Sequence, residues 1–323
     1  MPWIFALTSA KLLSMNFKGA DILSSKQFNR GDIEAVLKMA GKALPYASKK
    51  KFGDLLKGKL LATLFYEPST RTRLSFETAM IRLGGSVVSS VGVQGSSVAK
   101  GETLYDTGKM ISTYVDVIAI RHNEDNSADE MAHGSSVPVI NAGDGCREHP
   151  TQALLDLFTI QQELGKVDGL KVAMVGDLKY GRTVHSLSEM LSHFNVKLTF
   201  VSPPELKMPE GVCRFLKEKN VPFAETAEFA DSIKDADVVY MTRIQQERFA
   251  KKKDYEKHRN VYVLTSELIK EKNPKMLILH PLPRVWEITK DVDELPGAAY
   301  FRQAKSGLAV RMALLMMVLG KSF

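Results

Sequence analysis

Cysteine is scarce. The 323-residue chain carries two, Cys146 and Cys213, and no CxxC pair. That excludes a disulfide framework and a thiolate metal site, and it fits a reducing compartment. No apolar run reaches the ~18 residues of a membrane span. The longest, Leu308–Gly320, is interrupted by Arg311 and reads as a buried helix. No basic residue precedes the short apolar patch in Met1–Phe17, which argues against a secretory signal and leaves a leader or the remnant of a targeting segment. Charge of one sign is not in great excess either: net +7, from 44 Lys+Arg against 37 Asp+Glu, spread along the chain. With no recognition motif for nucleic acid, neither nucleic acid nor membrane is an expected partner, and part of the excess is free to line a site for anions. A G-x-G-x-x-G fingerprint, an internal repeat and a low-complexity segment are all absent.

What is present is alternation. Lys59–Tyr66 reads as a buried strand. Thr72–Leu83 reads as a helix with Phe76, Ala79, Met80 and Leu83 on one face and Gly84-Gly85 as its stop. Ser86–Val91 is strand-like, Gly92–Gly101 a small polar loop, Glu102–Tyr114 helical, and Val115–Arg121 and Val137–Gly143 strands. A second series follows. It has a helix over His149–Leu164, a strand over Leu170–Asp177, a helix over Gly181–Phe194 and a strand over Val196–Pro204. A helix near Val212–Lys219, a strand at Ala236–Arg243, and the segments Val261–Leu264 and Met276–Arg284 extend it. Strand–helix–strand order predicts an α/β protein with parallel sheets flanked by helices. The length suits two domains, joined by the His149 helix. Ligands in such folds sit at the carboxyl ends of strands, where Ser69–Arg71, Arg121, His149, Arg182, Arg243 and the Leu282 turn all fall.

EPSTRTR, Glu67–Arg73, has a composition no hydrophobic core requires. Pro68 fixes the chain as it leaves a strand, and Ser69 or Thr70 can cap the next helix. The first-turn N–H groups lack intrahelical partners, and the helix dipole favours negative charge. No Glu or Gln stands three residues on to close a capping box. Hydroxyls, free N–H groups and Arg71 together suit a phosphate. A rival is GDLKYGRT, Gly176–Thr183, which follows a strand and opens a helix like a nucleotide loop. It has Arg182 where such a loop uses lysine, and an arginine fork suits a carboxylate better.

HPTQ, His149–Gln152, puts an imidazole and an amide at another helix start. A neutral histidine there can donate to a developing oxyanion, although a capping histidine looks the same in sequence. A strand-end arginine such as Arg243, the turn HPLPR and the one-lysine loop SSVAKGET are each weak taken singly. The inventory holds many anion donors and one or two polarising groups. It holds no metal-ligand cluster, no nucleophile–base pair and no cofactor loop. That combination suits positioning of two anionic substrates without a covalent intermediate.

In series, FYEPSTRTRLSFETAM, KGET, IRH, NAGDGCREHPTQALLD, VGDLKYGRTVHSL, TRIQQERF, HPLPR and AAYFRQAKSGLAVRMALL resemble the transcarbamoylase family, from about Phe28 to the last residue. The aspartate carbamoyltransferase (aspartate transcarbamoylase) branch is favoured, because the ornithine branch typically carries HCLP at His280–Pro283 and lacks TRIQQERF. The resemblance implies that Ser69, Thr70, Arg71 and Thr72 bind the phosphate of carbamoyl phosphate. Thr72, Arg121 and His149 would contact the carbamoyl oxygen, and Gln152 with the carbonyls of Pro281 and Leu282 the carbamoyl nitrogen. Arg182, Thr183, Arg243 and Gln245, with Leu282, would take L-aspartate.

Ser96 would reach carbamoyl phosphate, and Lys100 both substrates, from a neighbouring subunit. That implies a homotrimer with shared active sites, and a catalytic set of His149, Arg121, Thr72, Lys100 and Arg71. Glu67 and Arg248 are implied as partners that hold the substrate arginines. No cofactor and no metal are implied. The resemblance also implies two domains, residues 1–149 with 300–323 for carbamoyl phosphate and 150–299 for aspartate, with the site in the cleft between them and at the subunit interface. A cytoplasmic enzyme of pyrimidine biosynthesis is implied, or a plastid one if a leader has been removed. Transfer to another amino acid, and a non-catalytic paralogue, remain as alternatives. Two features depart from the family: Trp286, where an acidic or amide residue is usual, and the leader Met1–Asn16, which matches nothing.

Overall fold

The computed structural model of the chain describes residues 15–94, 96–246 and 252–323. Two parallel sheets organise it. The first contains β1 (Leu60–Phe65), β2 (Ser86–Val91), β3 (Val117–His122) and β4 (Val139–Asp144), in the order β2-β1-β3-β4. The second contains β5 (Lys171–Val175), β6 (Lys197–Val201), β7 (Phe223–Thr226), β8 (Val238–Met241) and β9 (Leu277–Leu279), in the order β7-β6-β5-β8-β9. Helices connect the strands. They are α1 (Arg30–Ala47), α2 (Thr70–Arg82), α3 (Leu104–Ile111), α4 (Ser127–Gly134) and α5 (Pro150–Leu164), then α6 (Arg182–Leu191), α7 (Glu210–Glu218), α8 (Phe229–Ser232), α9 (Lys252–His258), α10 (Ser266–Lys272) and α11 (Tyr300–Val318).

The central strands are buried nearly throughout, as LLATLF and VVYM illustrate, because helices cover both faces of a parallel sheet. β2 lies at an edge, and its SVVSSV is mostly exposed. α2 buries Phe76, Ala79 and Met80 at helical spacing. Its stop is Gly84 at φ 86°, where an added Cβ would lie 2.6 Å from the Asp54 Cα. α5 is buried on every side from Pro150 to Ile160, the signature of a core helix. It packs against α6 and α11, and α11 also packs on α1 and α2. One apolar core therefore runs from Phe65 and Ile140 of the first sheet through Leu154 and Leu314 to Met174 and Leu198 of the second.

Several elements do not stand out in the sequence, among them α1, α4, β7 and the short helices α8, α9 and α10. α1 contains Gly31, Gly41 and Pro45, residue types that ordinarily disfavour a helix interior. It forms on a reciprocal cap between Asn29 and Asp32, with Pro45 in its last turn. α4 and the four-residue β7 are too short to set up a clear period. The helix expected over Glu102–Tyr114 is confined to Leu104–Ile111, capped by the Thr103 side chain on Asp106 N. Val261–Leu264 forms no strand, and Leu264 makes a single bridge to Ile288. The loop before Gly101 contains a 3-10 turn, Ser97–Lys100.

Candidate active site

Strand register builds the first wall. Phe65 of β1 pairs with Arg121 of β3, so the chain leaving β1 passes beside the arginine. Tyr66 N and Glu67 N both donate to the Arg121 carbonyl, at 2.9 and 3.4 Å. Ser69 is then the N-cap of α2, in extended conformation, and its side chain makes no capping bond among the described residues. The first-turn donors of α2 are thus not taken by the chain's own cap, as the missing capping box predicts.

Glu67 ties two arginines together. Its Oε2 lies 2.8 Å from Arg182 Nη2 and 3.3 Å from Arg121 Nη2. Arg182, at the start of α6, also donates through Nη1 to the Gly145 carbonyl at 2.6 Å. Arg121 Nη1 reaches the Ala142 carbonyl at 3.3 Å. Between them Gly143 sits at φ 121°, and a Cβ there would come within 2.9 Å of Arg121 Nη1. Only glycine lets both guanidinium groups approach this closely.

His149 caps α5 with Pro150 at the first helical position. Its backbone N–H donates to Ser186 Oγ at 3.0 Å. The imidazole is buried, and its Nδ1 has no hydrogen-bond partner among the described residues. Burial first, then the charges of Arg121, Arg182 and Arg311, push its pKa well below the ordinary histidine value. The ring is neutral at physiological pH and offers one N–H.

The HPLP turn forms the opposite wall. His280 is buried and holds Glu287 through Nε2 at 2.7 Å, while its Nδ1 accepts the Leu282 N–H at 2.7 Å. Nε2 therefore carries the proton. Leu282 sits at φ 56°, uncommon for a residue with a Cβ, and that N–H bond holds it there. Arg243 and Gln245 follow β8, and the Gln245 N–H lies 3.5 Å from Asp177 Oδ2.

These walls enclose a cavity of about 660 Å³. Glu67, Ser69, Thr70, Arg71, Thr72, Arg121, His149, Gln152, Arg182, Thr183, Arg243, Gln245, Pro281 and Leu282 all line it. Residues from both sheets thus meet in one place. Among the described residues, Ser96 and Lys100 do not reach it. Ser96 Oγ donates to the Val93 carbonyl at 2.7 Å, and Lys100 is exposed on its 3-10 turn. Arg248 lies outside the described residues. Trp286 stands 56% exposed and off the cavity, and nothing in the structure explains it.

Three polar residues of the site carried no signal as such. Arg311 and Gln303 line the cavity from α11, and Asp156 sits buried behind Gln152. In sequence Arg311 only interrupts an apolar run, and Asp156 is one acid in an apolar helix. Their spacing from the motifs is long, so the recognisable pattern does not include them.

Comparison with known proteins agrees with this geometry. The family model described as aspartate/ornithine carbamoyltransferase, carbamoyl-P binding domain, matches residues 20–162, and the one described as the Asp/Orn binding domain matches residues 168–318. The aspartate carbamoyltransferase catalytic subunit of Leptospira biflexa is 52% identical over 305 residues, covering 94% of this chain and 97% of its own. That of Methanosarcina barkeri is 51% identical over 306 residues, covering 95% and 99%. Among solved structures, the aspartate transcarbamoylase of Trypanosoma cruzi in complex with carbamoyl phosphate superimposes with a TM-score of 0.88 at 41% identity, over 94% of this chain and 97% of that one. The catalytic subunit of M. jannaschii aspartate transcarbamoylase does so with 0.85 at 51% identity, over 93% and 97%. With both halves matched by the family's models and relatives about 50% identical over nearly the whole chain, the chain belongs to the aspartate/ornithine carbamoyltransferase family.

Proposed function

We propose that this enzyme transfers the carbamoyl group of carbamoyl phosphate to the amine of L-aspartate, giving N-carbamoyl-L-aspartate and phosphate. The supporting observation is the cavity itself. An uncapped helix start with Ser69–Thr72 faces Arg182 and Arg243 across a buried neutral His149. The Trypanosoma cruzi relatives have been captured with carbamoyl phosphate, with aspartate and phosphate, and with N-(phosphonacetyl)-L-aspartic acid. In this reading Ser69, Thr70, Arg71 and Thr72 hold the phosphate. Thr72, Arg121 and His149 donate to the carbamoyl oxygen as it becomes an oxyanion. Gln152 and the carbonyls of Pro281 and Leu282 take the carbamoyl nitrogen. Arg182, Thr183, Arg243 and Gln245 hold the two carboxylates of aspartate, with Glu67 and Arg248 steadying the arginines. The amine attacks the carbamoyl carbon directly, and the phosphate leaves with the proton.

The reading extends to assembly. Ser96 and Lys100 are not among the residues that line the chain's own cavity, and are assigned in this reading to a neighbour's, in a homotrimer. The chain divides into residues 1–149 with 300–323 for carbamoyl phosphate and 150–299 for aspartate. Among the described residues no helix is long and apolar enough to cross a membrane, and a cytoplasmic location is proposed. The test is carbamoyl-product formation from carbamoyl phosphate with L-aspartate and L-ornithine as parallel acceptors. Turnover with aspartate alone is expected. Turnover with ornithine would overturn the acceptor assignment, and turnover with neither would overturn the reaction.

A further inference from the structure

Asp156 lies one turn after Gln152 on α5, fully buried behind the cavity wall. Three donors converge on its carboxyl group. Gln152 Nε2 and Gln303 Nε2 lie 2.8 and 2.6 Å from Oδ1. Tyr240 Oη donates to Oδ2 at 2.9 Å. The residues come from α5, α11 and β8, so the acid joins three elements at one point.

The donors fix one another's orientation. A side-chain amide has a donor end and an acceptor end, and its partners decide which faces where. The His280 backbone N–H can only donate, and it lies 2.8 Å from Gln303 Oε1. Gln303 must then turn Nε2 toward Asp156. Oδ1 must accept there whether the group is ionised or protonated, since the proton can sit on Oδ2 with the Tyr240 hydroxyl then accepting it in place of donating. Gln152 meets the same Oδ1 and must likewise present Nε2. The amide's second N–H has the Tyr240 hydroxyl as its partner, so what Gln152 has left for the cavity it lines is its carbonyl oxygen. An acceptor at that place suits an amino group on the substrate and leaves a methyl group unmatched.

We propose that Asp156 is a positioning residue that makes the site select an acyl phosphate bearing an amino group over one bearing a methyl group, by holding the Gln152 amide with its acceptor toward the substrate. This rests on the carbamoyl phosphate reading given above. Acetyl phosphate has nearly the same shape and no donor, so it leaves the Gln152 oxygen buried and unpaired, which weakens binding. With Asp156 removed the amide is free to turn, and the distinction shrinks.

Titration calorimetry on the full chain decides it, with carbamoyl phosphate, acetyl phosphate and inorganic phosphate as probes. Asp156→Leu is expected to reduce the preference for carbamoyl over acetyl phosphate by about tenfold, while phosphate affinity stays within about twofold of the unaltered protein. Asp156→Asn keeps an oxygen where the two glutamines need one and is expected to keep the preference. In a Gln152→Ala background Asp156→Leu should change the preference no further, a result that general loosening would not give. If Asp156→Leu does not fold, Asp156→Ser replaces it; the water it admits can donate as well as accept and so also releases the amide. A preference that survives Asp156→Leu or Asp156→Ser, that is lost in Asp156→Asn, or that falls further in the Gln152→Ala background, overturns the proposal alone. An unaltered protein that binds phosphate but neither distinguishes the two acyl phosphates nor transfers the carbamoyl group overturns the functional reading itself.

Discussion

The Glu67 carboxylate and the Arg182 guanidinium meet at 2.8 Å, joining the loop before α2 to the start of α6 and so one sheet's residues to the other's. The same oxygen faces Arg121 at 3.3 Å. Without it, two cations would stand together with no shared counter-charge, and Arg182 would lose one of its two anchors. Glu67→Ala should therefore lower kcat/KM for aspartate by about 10- to 100-fold, consistent with the loss of one partner in a partly buried ion pair. Glu67→Gln, which keeps the shape, should fall between. Steady-state kinetics with aspartate varied would test this; an unaltered kcat/KM in the alanine variant would refute it.

His149 presents a neutral imidazole because burial and three arginines oppose its protonation. In the proposed mechanism, its removal takes one donor from the developing oxyanion. His149→Ala should lower kcat by about 10²–10³ with the circular dichroism spectrum unchanged. The chemical step should also show no pH limb near 6.5, the ordinary histidine value. A limb there that disappears in the alanine variant would mean the ring titrates in the working enzyme.

Ser96 and Lys100 stand off the chain's own cavity, and Arg71 lines it. Lys100→Ala and Arg71→Ala proteins, each inactive alone, should recover activity on dissociation and mixing. If sites are shared as proposed, an intact one would assemble from one chain's Arg71 and another's Lys100. No recovery in the mixed sample would count against sites shared between chains.

Arg311 is a buried cation, held down to about 10 by desolvation, with its guanidinium carbon 5.2 Å from the centre of the Phe76 ring. Its Nε has no hydrogen-bond partner among the described residues, and Nη2 reaches Thr151 Oγ1 only at 3.5 Å. Desolvation of such a group opposes folding, so Arg311→Met should melt at the same temperature or higher. The loss should appear in ligand binding, with inorganic phosphate affinity falling about tenfold as a cavity cation is removed. A lower melting temperature with unchanged affinity would give Arg311 a structural role only.

Burial raises the Asp156 pKa to about 7, against the lowering pull of Gln303, Tyr240, Gln152 and Arg311. The folded protein therefore holds this proton more tightly than the unfolded chain, whose value is about 3.9. The associated stability is complete below about pH 4 and is lost as pH rises through about 7. Asp156→Asn cannot ionise. Its melting temperature relative to the unaltered protein should rise by roughly 2 °C or more between pH 5 and pH 8. A difference that stays flat over that range would place the group's titration elsewhere.

The difference between what sequence reveals and what it hides follows from where partners lie. The N-terminus of α2 is legible because all its parts are consecutive: Pro68, then Ser69 to Arg71, then an amphipathic run. HPTQ and HPLP are legible for the same reason. Asp156 is not, because its partners Tyr240 and Gln303 are 84 and 147 residues away. Only the fold makes an acid in LLDLF a junction. Arg311 is hidden by its apolar neighbours, which mark a core helix and conceal that one face of it borders the cavity. α1 is hidden by Gly31, Gly41 and Pro45, whose usual breaking effect yields to a good cap and to packing on α11.

That packing has a consequence for the order in which the protein matures. α11 covers α1, α2 and α5, yet in sequence it follows the whole second sheet. A nascent chain that has emerged through β4 holds every strand of the first sheet but not the helix that shields its apolar flank. The earliest-made half must wait, partly uncovered, until the later half has been translated. Synthesis is therefore vectorial while completion of the core is not, and a chaperone would find its longest window on the residues made first.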